Sequence, residues 1–155
     1  MDESDQLTAL HPNHVKVLRV ATLIGAIPFV IGSLVLEFLD LLPTGVFIVP
    51  VVLAAALVIA RAPLRRYAAR GYVMGDDRLR VVRGVLFRSD TVVPFGRVQH
   101  IDVDQGPLER AFGLATLTLH TAGNHNASVS LPGLADADAR AMRETIRARI
   151  RRDTM

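Results

Sequence analysis

The sequence predicts two membrane-spanning helices followed by a small, mostly-β domain that a C-terminal helix closes. Three observations support this fold class. Two long uncharged segments occupy 20–36 and 41–60, apolar and polar residues alternate through much of 72–131, and a 3.6-residue period begins after Pro132-Gly133. The length of 155 residues allows one ordinary domain besides the two helices.

Each uncharged segment is long enough to cross a bilayer. A helix rises about 1.5 Å per residue and the hydrocarbon core is roughly 30 Å thick. We therefore predict a two-span hairpin at 17–61, with helices at 17–37 and 41–61. Small residues share one face of the first helix, and we expect this face to pack closely against the second helix. These residues are Ala21, Gly25, Pro28 and Gly32.

Arginines determine the predicted orientation in the membrane. Four arginines and no acid follow the second span, within and beside a basic linker at 62–71, whereas the link between the spans holds two acids and no base. The four are Arg61, Arg65, Arg66 and Arg70. Basic residues near span ends stay on the cytoplasmic side, so both termini, including an N-terminal tail at 1–16, are predicted to be cytoplasmic. We also expect the four arginines to contact anionic headgroups of the bilayer.

The cytoplasmic half, at 72–152, is predicted to begin with a series of short strands. A hairpin-type turn, Gly75-Asp76-Asp77, separates the first two of them. The predicted strands are 72–74, 78–83, 85–93, 97–104, 114–121 and 128–131, with one helical turn at 107–112. On the strand at 97–104, the alternation predicts Val98 and His100 on one face and Gln99 and Ile101 on the other.

A helix of about sixteen to eighteen residues follows these strands. Its apolar stripe comprises Ala135, Ala139, Met142, Ile146 and Ile150, and arginines line another face. Because strands and helices do not alternate along this half, we predict a bent antiparallel sheet that the helix covers, as in a small barrel.

Several segments occur together in one order: Val93-Pro94, Arg97-Val98-Gln99-His100-Ile101, QGPLERAFGLA at 105–115 and LTLHTAG at 117–123. This combination resembles the bacterial pleckstrin-homology (PH) domain family of YdbS-like membrane proteins. The resemblance implies a two-span hairpin before a seven-stranded bent barrel that the C-terminal helix caps. It also implies a membrane complex with a longer relative that carries several copies of the domain.

The resemblance also marks polar and turn positions expected to have structural or interaction roles. They are Pro94, Arg97, Gln99, Gly106, Pro107, Arg110 and Gly113. We expect Arg110 to hold the connecting turn through carbonyls or through Glu109, Asp102 or Asp104. Gly113 is expected to adopt a left-handed conformation that ends the helical turn.

Catalytic chemistry has little support in the sequence. The absence of cysteine excludes thiolate metal sites and cysteine nucleophiles. His100, Asp102 and Asp104 share one strand face and could seed a metal or acid–base site, but one strand supplies a row of ligands rather than a cage. The plainer interpretation is a solvent-facing polar surface. We predict no catalytic residues, no metal and no cofactor.

Phosphoinositide binding, which the PH resemblance suggests, requires a basic first turn. Here Asp76 and Asp77 would repel a phosphate group, while Arg78 and Arg80 have the plainer interpretation of solvated strand residues. A net charge of +3 and an aromatic content of 5% also argue against nucleic-acid binding.

The function we predict is a non-catalytic interaction or scaffold module of a cytoplasmic-membrane complex. Its expected partners are the lipid bilayer and either a second copy of the chain or the longer multi-PH-domain relative. An alternative is a module that binds anionic lipid or senses envelope stress at the inner leaflet. A metal-dependent enzyme is a third, disfavoured class.

Overall fold

The computed structural model describes residues 7–39, 43–122 and 128–153, and the chain divides into two compact units. One unit is Val15–Arg65; the other joins Met1–His14 to Arg66–Met155. The helices are α1 (His14–Phe38), α2 (Ile48–Ala68), α3 (Pro107–Ala111) and α4 (Asp136–Asp153). The strands are β1 (Gly71–Met74), β2 (Arg78–Arg83), β3 (Ser89–Pro94), β4 (Val98–Asp104), β5 (Leu114–Thr121) and β6 (Ser128–Ala135).

Both α1 and α2 are long and apolar enough to cross a membrane. The second lies further along the chain than predicted, because a turn with Gly45 at a φ of 97° precedes it and α2 begins only at Ile48. It then continues through most of the predicted linker to Ala68, since arginine favours helix. The predicted start at residues 41 and 42 lies outside the described residues.

The small-residue face of α1 is not covered by α2. Ala21, Gly25, Pro28 and Gly32 are all exposed, and a Cβ added at either glycine would meet no neighbouring atom within 4 Å. The predicted close packing of the two spans through this face is therefore not observed. Within the described residues of this unit, the face remains open.

The domain consists of two antiparallel three-stranded sheets, ordered β1-β2-β3 and β4-β5-β6, and α4 packs on β4, β5 and β6. One apolar core joins them, and its fully buried side chains include Leu79, Phe95, Leu117, Leu119 and Ile146. The apolar stripe predicted for α4 is confirmed, because Ala139, Met142 and Ile146 are buried in this core. The predicted fold class is thus confirmed, with six strands among the described residues rather than seven.

Three strands depart from the predicted pattern, each at an irregularity of the backbone. The strand predicted at 85–93 begins only at Ser89, since Gly84 has a φ of 121° and turns the chain. β6 continues through Pro132-Gly133 across a register shift. A shift between Val98 and His100 places Val98 in the core and leaves Gln99 and His100 exposed, which breaks the predicted alternation.

Residues 7–13, the described part of the segment before α1, belong to the domain and are not a free tail. Thr8 exchanges backbone hydrogen bonds of 2.8 and 3.1 Å with Tyr72 of β1, and Leu10 is 3% exposed in the core. The Tyr67 hydroxyl donates to the Leu10 carbonyl at 2.7 Å, and the amide of His11 donates to the Gly133 carbonyl at 2.9 Å. The residues just before α1 therefore form hydrogen bonds with Tyr67, at the end of α2, and with β1 and β6 of the domain.

Candidate functional site

The first sheet has two chemically different ends. β2 runs from the β1–β2 turn at 75–77 to the β2–β3 loop at 84–88. Gly71, the first residue of β1, pairs with Val82 near the far end of β2. The chain that arrives from α2 therefore joins the sheet beside the 84–88 loop. We call this the linker end of the sheet, and the 75–77 end the turn end.

A hollow of about 700 Å³ begins at the turn end and extends along β1, β2 and β3 as far as Asp90, which pairs across the strands with Val82. Its strongest ion pair joins Arg80 and Asp90, with distances of 3.0 Å from Nε to Oδ1 and 2.6 Å from Nη2 to Oδ2. These hydrogen bonds from Arg80 are the main reason that the pKa of Asp90 is lowered from its usual value. The guanidinium group is thus already engaged by a carboxylate in the fork geometry that it would offer to a phosphate.

The other charges of the turn end are also paired. Nη2 of Arg149, on α4, lies 3.3 Å from Oδ1 of Asp76, and its Nη1 donates to the Gly75 carbonyl. Nε of Arg78 lies 3.6 Å from Oδ1 of Asp77. A phosphate in the hollow would meet the carboxylates of Asp76, Asp77 and Asp90 and the arginines that they already contact. This arrangement does not form a phosphate-binding cup.

At the linker end, Arg70 contacts a buried histidine. Nη1 of Arg70 lies 3.2 Å from Nε2 of His14, whose residue is 3% exposed. Because a guanidinium group only donates hydrogen bonds, Nε2 must accept and the imidazole proton lies on Nδ1. That Nδ1 is buried without a hydrogen-bond partner. Gly133, at a φ of 80°, makes room for the ring, since a Cβ there would lie 2.5 Å from Cγ of His14.

The charge of Arg70 is not compensated by a carboxylate within the described ranges. Partial burial, and then the positive charges of Arg66 and Arg83, lower the pKa of Arg70. Its hydrogen bond goes to the neutral ring of His14. Arg70 at the linker end is therefore a positive charge with no carboxylate contact among the described residues, whereas the arginines around the hollow contact carboxylates.

The linker end also presents an apolar loop, residues 84–88, which we call the tip loop. Leu86 and Phe87 are each 90% exposed, and the exposed Arg83 and Arg88 flank them. The loop is a tight turn, because a Cβ at Gly84 would lie 1.8 Å from the Phe87 carbonyl oxygen. Large apolar side chains held out in this way commonly mark a contact surface.

The four arginines predicted to contact headgroups occupy two environments. Arg61, Arg65 and Arg66 are exposed residues of α2. Arg70 follows the end of that helix and is half-buried. Contact between these residues and lipid headgroups stays a prediction.

The family positions around α3 are structural, but a different residue holds the turn. Oε2 of Glu109 accepts from the Gly106 amide at 2.9 Å, and its Oε1 accepts from the Thr116 hydroxyl at 2.6 Å. Nε2 of Gln105 donates to the Leu114 carbonyl at 2.7 Å. The side chain of Arg110 is exposed and, among the described residues, makes none of the predicted contacts. Glu109 and Gln105 perform the role predicted for Arg110.

The remaining family positions lie on turns and on the surface. Pro107 begins α3, and Gly113 has the predicted left-handed conformation at a φ of 68°. Pro94, Arg97 and Gln99 are exposed around the short 3₁₀ turn between β3 and β4.

A histidine pair surrounds Asp102 on the outer face of the second sheet. His100 Nε2 lies 2.7 Å from Asp102 Oδ1, and His120 Nε2 lies 3.2 Å from Asp102 Oδ2. His120 was not predicted to join this group, because only the pairing of β4 with β5 brings it opposite His100. Asp104 is not part of this group. The described part of the chain contains no cluster of His, Asp or Glu suited to hold a metal ion.

The two apolar helices and the six-stranded, helix-covered domain define a membrane-anchored protein with a PH-like domain. The bacterial PH domain family matches residues 19–150, and the chain belongs to this family. The match extends beyond the domain into both apolar helices.

Two known proteins illustrate the similarity. The chain is 31% identical over 84 residues to the UPF0699 transmembrane protein YdbS of Bacillus subtilis (strain 168), and this match spans 54% of the chain and 51% of YdbS. It also resembles the crystal structure of a DUF1696 family protein with a pleckstrin-homology domain from Shewanella loihica PV-4. The structural match has a TM-score of 0.41 and 20% identity, covering 55% of this chain and 74% of that one.

Proposed function

We propose that this chain is a non-catalytic interaction module of a cytoplasmic-membrane complex, with its PH-like domain held on the inner leaflet. The observation that carries the proposal is the tip loop, whose Leu86 and Phe87 side chains are each 90% exposed. Burial of each such side chain stabilises an assembly by about 1.5–3 kcal/mol. Adjacent arginines add about 1 kcal/mol each near anionic lipid.

The position of the tip loop favours the lipid surface as its contact. The loop leaves the sheet beside Gly71, and only Ala69 and Arg70 separate that residue from α2. Because Gly71 follows α2 so closely along the chain, a loop beside Gly71 meets the bilayer at a high effective concentration. The flanking Arg83 and Arg88 suit the anionic surface of the cytoplasmic leaflet.

The proposed orientation has both termini in the cytoplasm and the link between the spans outside. Arg61, Arg65 and Arg66 at the end of α2 support this orientation, because basic residues beside a span are retained on the cytoplasmic side. With the linker end at the bilayer, the outer face of β4 and the turn end remain available to a protein partner. The partner we propose is a second copy of the chain or a longer protein with several PH domains.

Photocrosslinking in native membranes tests both parts of the proposal. A benzophenone amino acid replaces Phe87 on the tip loop in one variant and the exposed Gln99 of β4 in another. We expect lipid adducts at position 87, and at position 99 adducts with a second copy or a longer PH-domain protein. Mass spectrometry identifies each product. Only protein adducts at 87 would overturn the lipid contact, and no PH-domain adduct at 99 would overturn the proposed partner.

Selective lipid recognition at the inner leaflet is the second candidate function. The paired charges around Asp76, Asp77 and Asp90 argue against such recognition at the turn end. The observation in its favour is the uncompensated charge of Arg70 at the linker end.

A further inference from the structure

We propose that the domain binds a phosphate-type anion at its linker end, in a cavity between Arg70 and Arg83. This site goes beyond the proposed membrane contact of the tip loop, because it would take a phosphate group from a lipid headgroup or from solution. It is also distinct from the hollow at the turn end, where phosphoinositide binding would be expected from the PH resemblance.

The cavity has room for such a group. Its volume is about 110 Å³, whereas one water molecule occupies roughly 30 Å³ in the liquid. It is lined by Leu10, Arg70, Gly71, Val81, Val82, Arg83, Ser130, Leu131 and Pro132. All of these residues belong to the domain unit.

The charges around the cavity favour an anion. Arg70 is partly buried, and the guanidinium groups of Arg66 and Arg83 act on it as like charges. No carboxylate contacts Arg70 or Arg83 within the ranges that the structure describes. Elsewhere in the domain, arginines do contact carboxylates; examples are Arg78, Arg80, Arg140, Arg143, Arg147 and Arg149. A partly buried cation among like charges is costly unless an anion completes the group.

The hydrogen-bond donors of Arg70 are mostly unused. A guanidinium group has five N–H donors, and the contact with Nε2 of His14 engages Nη1 alone. That contact also positions the guanidinium group, because Gly133 and the buried surroundings hold the imidazole ring. Phosphate oxygens accept two parallel hydrogen bonds from one guanidinium group, and two arginines, Arg70 and Arg83, line the cavity.

The apolar lining strengthens this recognition. Leu10, Val81 and Leu131 are between 2% and 3% exposed, and they form the inner wall of the cavity. Apolar surroundings exclude water and increase the attraction between an arginine and an anion relative to an exposed pair.

The test uses the full chain purified in a maltoside detergent without phosphate. Inorganic phosphate is titrated by calorimetry in one arm, and phosphatidylglycerol or an uncharged glycolipid is added before native mass spectrometry in the other. We expect saturable binding of phosphate or phosphatidylglycerol, and no binding of the glycolipid. Arg70→Gln and Arg83→Gln should each weaken that binding at least tenfold. Arg110→Gln, which removes the same charge from an exposed site, should leave it within twofold.

Each outcome decides the proposal. Binding of both probes supports a shared phosphate site, binding of phosphatidylglycerol alone assigns it to lipid, and binding of phosphate alone assigns it to a soluble ligand. An equal loss in the Arg110→Gln variant, or no binding of either probe, would overturn it. Circular dichroism of each variant verifies folding, and Arg83→Gln serves if Arg70→Gln does not fold. The double variant Leu86→Ser, Phe87→Ser should retain phosphate binding, which separates failure of this site from failure of the tip loop.

Discussion

The hollow that begins at the turn end and the surroundings of Arg70 at the linker end contain similar residues in opposite electrostatic states. Around the hollow, Arg149 is paired with Asp76 and Arg80 with Asp90, and little charge is unbalanced. At the linker end, Arg70 has no such carboxylate in the described ranges, and apolar side chains project beside it. The difference shows that arginine content alone does not locate an anion site; the positions of the carboxylates do.

This contrast also explains why a PH-like fold need not bind phosphate at its first turn. Asp76 is fully exposed, yet Arg149 reaches it from α4. The charges of the turn end are thus paired within the chain. At the linker end, by contrast, the apolar side chains of the tip loop are exposed.

The largest expected difference between the two ends is the loss in free energy of unfolding when a glycine is replaced by alanine. Gly84→Ala places a Cβ 1.8 Å from the Phe87 carbonyl oxygen at a φ of 121°, so the tip loop must rearrange. We expect a loss of about 2–3 kcal/mol in the free energy of unfolding. Gly75→Ala at the turn end meets its nearest atom at 3.3 Å without a positive φ and should cost less than about 1 kcal/mol. Denaturant unfolding in detergent measures both, and equal losses would contradict the tight turn.

A substitution at Gly133 tests how strongly the N-terminal segment depends on its contacts with the domain. A Cβ at Gly133 would lie 2.5 Å from Cγ of the His14 ring. Gly133→Ala should therefore displace the ring and cost about 2 kcal/mol. Hydrogen exchange should rise at the Thr8 amide, which donates to Tyr72. Unchanged protection there would show that the segment does not depend on this contact.

Neutralising Arg80 or Arg70 should change stability in different directions. Arg80→Gln removes the partner of Asp90 and should lower the free energy of unfolding slightly, because this pair is exposed to solvent. Arg70→Gln removes a charge that lies among other guanidinium groups and should leave stability unchanged or raise it without an added anion. Thermal unfolding in phosphate-free buffer compares them. A larger loss for Arg70→Gln would indicate an anion or carboxylate already paired with Arg70.

The smallest expected effect concerns the pH dependence of the Arg80–Asp90 pair. Arg80 lowers the pKa of Asp90 in the folded protein, so this carboxylate contributes stability above its unfolded pKa of about 3.9 and loses that contribution as pH falls through the folded pKa. The difference in unfolding midpoint between the natural protein and Asp90→Asn should shrink from pH 5 to pH 3. If the difference in unfolding midpoint does not change with pH, the charge of Asp90 does not account for its contribution to stability.

Local patterns predicted the parts of the fold that depend on neighbours in sequence. Strict alternation identified β5, and a 3.6-residue apolar period with acids at its start identified α4. The left-handed Gly113 followed from its place after a short helical turn. In each case, the determining interactions lie within one element or its cap.

Other features required contacts between distant parts of the chain. Thr8 and Leu10 show no periodic signal, and they join the domain only through β1 and Tyr67. Arg70 looked like one more headgroup contact, because the sequence does not show which arginines have carboxylate partners. The apolar residues of the tip loop resembled a strand, since the reversal at Gly84 depends on a φ of 121°.

Electron paramagnetic resonance tests the central claim that the linker end meets the bilayer while the turn end faces water. The chain contains no cysteine, so Phe87→Cys and Asp76→Cys each accept a single spin label. In proteoliposomes that contain anionic lipid, we predict that the label at 87 collides more with oxygen than with a water-soluble nickel complex, and that the label at 76 shows the reverse. Equal exposure of the two labels to the nickel complex would contradict the claim.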